Sequence, residues 1–168
     1  TADDVKYSFE RTVNPATQSP GAGFLASIDG FDAMQAGEAT SLSGVEILDP
    51  KTVQVTLSRP DATFLSVMAL NFSFIVPKEE VEKSGADFGR NPVGTGAFKL
   101  AEWTLGQKLI LQKNTDYYRE GAPKLDEIAF EIGQEPVVSL LRVQNGEVDV
   151  PGDGIPPAKF REVMDNPE

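Results

Sequence analysis

The chain has 168 residues, 40% of them hydrophobic, which is enough to bury a core as one domain or as two small ones. Its formal net charge of −11, from 26 acidic and 15 basic residues, repels phosphate backbones and argues against a nucleic-acid partner. The absence of cysteine and histidine excludes disulfides, thiol catalysis and Ser-His-Asp chemistry.

The chain begins with the signals of a helix start. Thr1 places a hydroxyl at the N-cap position, and Asp4 places a carboxylate three residues later. The apolar residues that follow recur at helical spacing: Ala2, Val5, Phe9 and Val13. We therefore predict a first helix that extends to about Val13 and ends at Asn14-Pro15.

Short elements of both kinds follow the first helix. Apolar residues at intervals of three over 24–39 predict one or two short helices, interrupted at Asp29-Gly30. Alternation of apolar and polar residues over 44–57 predicts a hairpin with one face in water. The stretch Asp61-Ala62-Thr63 can then cap a further helix over 64–68.

The end of this half of the chain combines an apolar and a charged stretch. Residues 72–76 are few and apolar enough to predict a strand, and Pro77 begins a charged helical turn that extends through Lys83. The composition then changes over 85–91. This change predicts two units, residues 1–90 and residues 91–168.

The second unit is predicted to contain further elements of both kinds. In chain order these are a hairpin of 97–103 and 108–113, a strand over 127–132, a helix over 137–144, a short strand over 148–150 and a helix over 157–164. The first helix of this unit is expected to end at Asn145-Gly146, because glycine readily adopts the left-handed conformation that closes helices.

The stretch Asn91-Pro92-Val93-Gly94-Thr95-Gly96 lies between the two predicted units. Two glycines that flank a threonine permit a tight turn before an apolar strand, so we interpret the stretch as a shaped junction. It lacks the third glycine of a dinucleotide fingerprint and the Gly-Lys-Ser/Thr of a phosphate loop. The structural interpretation is therefore preferred to a nucleotide site.

Several stretches together resemble a known protein family: residues 1–5, 91–100 with Glu102-Trp103, 114–118 and 146–149. They resemble the family 5 extracellular solute-binding proteins, which serve ABC importers of peptides, nickel and related solutes. The resemblance extends from Thr1 to about Phe160. Two departures are mild: Tyr118 stands where the family usually has Trp, and Ala97 stands where it usually has Pro.

The resemblance implies an α/β fold, a fragment of the two-lobed periplasmic-binding-protein type II fold with mixed sheets flanked by helices. Residues 1–90 would be a small α/β subdomain, and residues 91–168 a partial main-lobe segment of hairpin, strand, helix, strand and helix. The first strands of the main lobe would precede Thr1, and the second lobe would follow residue 168. We therefore expect the chain alone to bind solute weakly or not at all.

The resemblance also implies a binding function rather than an enzyme. A protein of this family captures peptides or related small solutes by closure of two lobes and delivers them to an ABC permease in the membrane. It would be periplasmic or, as a lipoprotein, attached to the cell surface. No catalytic residue, cofactor or metal ligand is expected. Two alternatives stay open: a glycoside hydrolase with two carboxyl groups facing one cleft, and a purely structural or interaction domain.

The candidate ligand-binding residues are Asn71, Phe72, Ser73 and Phe74. Asn71 and Ser73 place hydrogen-bonding groups within an apolar run, and a small-solute pocket is mostly apolar with a few polar groups. Alternatively, the two polar residues lie on the wet face of an edge strand whose two phenylalanines fill the core. The resemblance favours the ligand site, because the corresponding stretch of the family runs near the ligand cleft.

Two weaker patterns involve other side chains. Trp103, Tyr117 and Tyr118 could form a stacking platform, but we expect them to be packing residues, because large aromatic side chains contribute heavily to core burial. Asp149 and Asp153, with the glycines near them, only faintly resemble a calcium loop, since the alternating acidic spacing and the terminal Glu are missing.

Overall fold

The computed structural model describes residues 1–152 and 154–166. They form two compact units, Thr1–Thr95 and Gly96–Glu168, which we call unit 1 and unit 2. Each unit combines helices with an antiparallel sheet, of two strands in unit 1 and of three strands in unit 2. The mixed α and β composition expected from the sequence is confirmed. No helix in the described ranges is long and apolar enough to cross a bilayer.

Unit 1 contains helices and a hairpin: α1 (Ala2–Val13), α2 (Phe31–Gln35), β1 (Val45–Asp49), β2 (Thr52–Val55), α3 (Phe64–Val67) and α4 (Lys78–Ser84). Turns of 3₁₀ helix lie between them at Pro15–Thr17, Ala22–Leu25 and Asn71–Ser73, and a further one follows α4 at Gly85–Gly89. The elements predicted for this half of the chain are confirmed, except for the strand over residues 72–76.

Helix α1 begins as the sequence predicts. The hydroxyl of Thr1 accepts a hydrogen bond from the backbone N–H of Asp4 at 3.4 Å, and the carboxylate of Asp4 accepts one from the amino group of Thr1 at 2.8 Å. This reciprocal capping box satisfies N–H groups that have no partner inside the helix. The helix ends at Val13, and the N–H of Asn14 donates to the carbonyl of Glu10 at 2.8 Å.

The core of unit 1 lies between α1, α2 and the hairpin. Its buried side chains form one cluster: Phe9, Val13, Leu25, Ile28, Met34, Leu42 and Val45. Two helices, a 3₁₀ turn, two loops and a strand thus contribute to a single apolar cluster. Removal of such side chains from water is the main favourable term in folding.

Gly44 lies where three backbone segments meet at the edge of this core. Its N–H donates to the carbonyl of Asp29 at 2.9 Å, and its carbonyl accepts from the N–H of Thr56 at 2.7 Å. A Cβ at position 44 would lie 2.5 Å from the carbonyl oxygen of Thr56 and 2.8 Å from the backbone nitrogen of Asp29. The close backbone approach therefore requires glycine.

Unit 2 contains β3 (Phe98–Thr104), β4 (Lys108–Lys113), β5 (Glu127–Glu131), α5 (Pro136–Gln144) and α6 (Phe160–Met164). The strands pair in the order β3-β4-β5, with Leu100 opposite Leu111 and Ile128 opposite the same Leu111 on the other side. A bidentate ion pair joins α5 to β5, because Arg142 donates to both carboxylate oxygens of Glu131. The hairpin, the third strand and both helices predicted for this half are confirmed.

The short strand predicted over residues 148–150 is wrong. Within the described ranges no strand pairs with these residues, and they form a bend in which Val150 is 75% exposed. The N–H of Glu147 turns back to the carbonyl of Arg142 at 2.8 Å, so the chain leaves α5 through a closing turn. Gly146 has a φ of +71° in that turn, as its C-cap role predicts. Asp153, on which the calcium comparison depends, lies outside the described residues.

The stretch Gly94-Thr95-Gly96 contains the division between the two units, but its glycines are not needed for the reason expected. Neither Gly94 nor Gly96 has a positive φ, and a Cβ at either position would meet no atom closer than 3.8 Å. Neither position therefore requires glycine. Instead, Asn114 fixes the start of unit 2, because its side-chain amide donates to the carbonyl of Gly96 at 2.8 Å.

Candidate functional site

The candidate ligand-binding residues lie in the stretch that follows α3 and leads into the first residue of α4; we call residues 71–78 the 71–78 segment. It starts with the 3₁₀ turn Asn71–Ser73 and continues in an extended conformation to Pro77. Ser73 is buried, its N–H donates to the carbonyl of Leu70 at 3.0 Å, and its hydroxyl donates to the carbonyl of Val67 at 3.0 Å. The polar groups of Ser73 are therefore committed to the turn itself.

Phe72 packs against the loop that follows α1. Its ring stacks on that of Phe24, with centroids 5.2 Å apart and planes inclined by 14°. The ring also covers Gly21, where a Cβ would lie 2.2 Å from two of its carbon atoms. Phe72 is half-buried and thus fills space that any larger residue at position 21 would occupy.

Asn71 and Phe74 differ from the two residues between them, because both side chains are exposed. Phe74 is 66% exposed, although it is one of the largest apolar side chains in the chain. The N–H of Phe74 donates to the carbonyl of Asn71 at 3.2 Å, so one turn holds the two residues. Of the four predicted site residues, these two are available to a solute.

The alternative placement of the four residues, on the two faces of an edge strand, is wrong. It requires Ser73 in water and Phe74 in the core, whereas Ser73 is buried and Phe74 is exposed. The physical reason is that the 3₁₀ turn replaces the two-residue periodicity of a strand.

Side chains of α1 hold the 71–78 segment where a neighbouring strand would otherwise do so. We call Asp4, Ser8 and Thr12 the α1 clamp. The carboxylate of Asp4 accepts from the N–H of Lys78 at 3.1 Å, the hydroxyl of Ser8 accepts from the N–H of Val76 at 2.9 Å, and the hydroxyl of Thr12 donates to the carbonyl of Phe72 at 3.3 Å. The three residues are four apart, so they lie on one face of the helix.

The α1 clamp was missed by the sequence analysis. Its signal was present, since polar residues recur every four positions beside the apolar positions of the first helix. Ser8 in particular is buried, although serine is usually exposed. A serine at a buried helical position predicts a partner for its hydroxyl, but it does not indicate that the partner lies 68 residues away.

Six carboxylates are stabilised in their charged form by hydrogen bonds. The amino group of Thr1, then its hydroxyl and then the N–H of Lys78 lower the pKa of Asp4 to about 2. Hydrogen bonds also lower the pKa of the other carboxylates with a resolved shift: Asp49, Asp61, Glu102, Glu131 and Glu162. A general acid needs a raised pKa, so none of these groups fits that role.

Unit 2 has a groove of its own beside the loop between β4 and β5. The groove has a volume of about 440 Å³, is open to solvent and is lined by residues 113–115, 117 and 119–124. Tyr118 lies next to it and is 73% exposed, in edge-to-face contact with Tyr117 at 4.8 Å between ring centroids. Trp103 is 40% exposed. The expectation that the three aromatic residues pack inside the fold is wrong for Trp103 and Tyr118, which are exposed, whereas Tyr117 is half-buried.

Comparison with known proteins identifies the class. A sequence profile of the family described as "Bacterial extracellular solute-binding proteins, family 5 Middle" matches residues 1–167. The chain belongs to this family. The resemblance seen in the sequence is thereby confirmed.

Individual relatives agree with the family. The chain is 30% identical over 97% of its length to the periplasmic oligopeptide-binding protein OppA of Escherichia coli, and 35% identical over 93% to the probable deoxycholate-binding periplasmic protein YgiS of the same organism. It spans 31% of the length of each of these relatives. A solved structure of Haemophilus influenzae OppA in complex with RPPGFSPFR matches 98% of the chain and 33% of that protein, with a TM-score of 0.90 and 27% identity. The fold is therefore that of a segment of these binding proteins.

Proposed function

We propose that the chain is part of the solute-binding component of an ABC importer, which captures peptides or related small solutes. The observation that carries this proposal is the family match over residues 1–167, together with relatives named as oligopeptide-binding proteins. In this proposal residues 1–90 form the small α/β subdomain and residues 91–168 form part of the main lobe. Binding of the solute favours a closed state over an open one, and closure commits the solute for delivery.

The proposal includes a partner and a location. The partner is an ABC permease, which takes the solute across the membrane. The relatives named as periplasmic proteins support a periplasmic location, and attachment to the cell surface as a lipoprotein is the alternative. The net charge of −11 agrees with the absence of nucleic acid from the proposed partners.

We place the contact with the solute at Asn71 and Phe74, supported by Phe72 and Ser73. The exposed ring of Phe74 offers apolar area, and the amide of Asn71 offers a donor and an acceptor, which is the combination that small-solute sites use. Phe72 and Ser73 contribute by shape, because their own groups are occupied within unit 1.

The proposed function excludes enzymatic chemistry at this segment. The family consists of solute-binding proteins rather than enzymes. A glycoside hydrolase would need one carboxyl group with a raised pKa opposite a second carboxylate. Every resolved shift of a carboxylate pKa among the described residues is downward, so no observation favours this alternative.

Calorimetric titration tests the proposal. The sequence is expressed in two forms: the 168-residue chain, and the genomic reading frame that contains it. Each is titrated with a mixed oligopeptide library, with deoxycholate and with the corresponding free amino acids. We expect the reading-frame product to bind oligopeptides at micromolar concentration and the 168-residue chain to show little or no heat.

The Phe74→Ala variant of the reading-frame product locates the site. We expect its affinity for oligopeptides to fall about tenfold, because an exposed aromatic anchor is lost on truncation. Leu48→Ala is the matched control, since Leu48 is 54% exposed and lies on β1 of the same unit. A product that binds deoxycholate but no peptide would correct the solute class, and a product that binds none of these ligands or cleaves them would contradict the proposal.

A further inference from the structure

The 71–78 segment runs antiparallel to α1. Asp4, near the start of the helix, binds the backbone at Lys78, Ser8 binds it at Val76, and Thr12, near the end, binds it at Phe72. Ser8 also donates to the carbonyl of Asp4 at 2.7 Å, which fixes its hydroxyl as an acceptor for the N–H of Val76. The helix thus holds the segment at both ends and near its middle.

This arrangement determines which groups the segment can offer to a ligand. An extended segment at a protein surface usually offers a row of backbone N–H and C=O groups, to which a peptide can add as a further strand. Here the N–H groups of Ser73 and Phe74 donate within the 3₁₀ turn, and those of Val76 and Lys78 donate to the α1 clamp. These four N–H groups are already occupied, while the side chains of Asn71 and Phe74 are exposed.

We propose that Asp4, Ser8 and Thr12 are positioning residues that hold the 71–78 segment against α1 and out of pairing with a strand, so that it presents side chains rather than a backbone edge to the solute. This inference rests on the proposed function, because it concerns the same segment. It explains why an apolar stretch with the composition of a strand does not pair with β1 or β2. Recognition at this segment would depend on side chains and be indifferent to the backbone amides of a bound peptide.

Amide hydrogen exchange of the 168-residue chain tests the first half of the inference. In Ser8→Ala the N–H of Val76 loses its acceptor, so we expect its exchange to accelerate about five- to tenfold, the effect of one hydrogen bond. The N–H of Asn14, which bonds to Glu10 within the same helix, should keep its exchange rate and serves as the internal control. An unchanged exchange rate of the Val76 N–H in Ser8→Ala would overturn the proposed role of the α1 clamp.

Variants at Thr12 keep the test valid if Ser8→Ala does not fold. Thr12→Val has almost the same shape but lacks the hydroxyl that donates to Phe72, whereas Thr12→Ser keeps the hydroxyl and loses only a methyl group. We expect faster exchange at Phe74 and Val76 in Thr12→Val and wild-type exchange in Thr12→Ser. Equal exchange in the two variants would show that the hydroxyl has no positioning role.

Titration of the reading-frame product tests the second half. At a temperature where all variants are fully folded, Thr12→Val should weaken oligopeptide binding about fivefold and Thr12→Ser should restore it; a merely structural role would lower the melting temperature and leave the affinity unchanged. Peptides with N-methylated backbone amides provide the second probe. The loss of affinity caused by Phe74→Ala should be the same for methylated and unmethylated peptides.

The outcomes separate this inference from the proposed function. If Val76 exchanges faster and Phe74→Ala weakens binding while Thr12→Val binds as tightly as wild type, the positioning role is overturned and the proposed function stands. If N-methylation removes the effect of Phe74→Ala, the peptide binds through backbone contacts and the inference is overturned. If the product binds no peptide, both the proposed function and the presentation of side chains to a peptide are overturned.

Discussion

Unit 1 and unit 2 differ in how much of each is removed from water. Unit 1 has a contiguous cluster of buried apolar side chains supplied by helices, a strand and loops. Among the described residues of unit 2, the buried side chains are Asn114, Leu140 and Pro156. Similar combinations of helix and antiparallel strand therefore rest on different forces. Apolar burial stabilises unit 1, whereas in unit 2 the strands are paired but few side chains are buried.

The exposed apolar residues of unit 2 make the contrast sharper. Its large hydrophobic side chains with at least two fifths of their surface exposed are Trp103, Leu105, Tyr118, Leu125, Phe130, Ile132, Val137, Val138, Leu141, Val150, Phe160 and Met164. They occur on the sheet, on α5, on α6 and in the loops between these elements. A sheet whose faces are only partly covered gains little hydrophobic stabilisation, so we expect unit 2 to open at lower free energy than unit 1.

The largest expected effect comes from a leucine pair, one in each unit. Leu25 is fully buried in the core of unit 1, and Leu125 is 59% exposed in unit 2. We expect Leu25→Ala to lower the free energy of unfolding by about 2–5 kcal/mol, and Leu125→Ala to change it by less than about 0.5 kcal/mol. Urea unfolding followed by circular dichroism measures both. Equal losses in the two variants would contradict the contrast between the units.

A glycine pair tests how tightly unit 1 is packed. In Gly21→Ala the new Cβ would overlap the ring of Phe72, so we expect a loss of about 1–3 kcal/mol. Gly23→Ala, two residues along the same loop, meets no atom within 4 Å and should be neutral or slightly stabilising. Thermal unfolding compares the two variants. An unchanged stability of Gly21→Ala would show that the stacked rings of Phe24 and Phe72 can move aside at little cost.

Unit 2 should respond to the loss of an ion pair. Arg142 binds Glu131 with two hydrogen bonds and also contacts Glu147 at 3.2 Å, and its side chain is 23% exposed. We expect Arg142→Met to destabilise unit 2 more than the control variant does and to remove part of its salt dependence. Lys159→Met, which breaks a more exposed pair with Glu162 one helical turn away, is the control with a smaller effect. Amide exchange of β5 at low and high salt measures both, and equal effects would contradict the prediction.

The smallest expected effect is on the stability of unit 1 at low pH. The pKa of Asp4 is lowered from 3.8 to about 2 in the folded chain, so its contribution to the stability of unit 1 is present above pH 3.8 and is lost as the pH falls through about 2. Asp4→Asn removes the titrating group and should therefore reduce the acid sensitivity over this interval. Asp3→Asn, at the exposed neighbouring position, is the matched control for the loss of one negative charge. Coincident pH profiles of wild type and Asp4→Asn would contradict the prediction.

The sequence predicts those parts of the fold that depend on neighbours along the chain. The capping box of Thr1 and Asp4 and the helical spacing up to Val13 are local signals, and both ends of α1 are confirmed. The alternation over β1 and β2 likewise reports on a hairpin whose two strands are adjacent in sequence. Such elements need no information from distant residues.

The features that the sequence does not predict depend on residues that are far apart along the chain. The 71–78 segment has the composition of a strand, but its conformation is set by Ser8 and Thr12, which are more than fifty residues away in sequence. The requirement for glycine at position 44 depends on Asp29 and Thr56 in the same way. At the candidate site, which stays a prediction, the sequence does not indicate that two of the four residues have exposed side chains while the other two are committed to contacts within unit 1.

The overlap between position 21 and the ring of Phe72 has a consequence for the evolution of this family. Positions 21 and 72 compete for the same space, although they are 51 residues apart in the sequence. A ring at position 72 leaves room only for the hydrogen of glycine at position 21. A homologue with a bulky residue at the position of Gly21 is expected to carry a small one at the position of Phe72, so the two columns should covary. In such a homologue the side chain at the position of Gly21 would fill the space that the ring of Phe72 fills here.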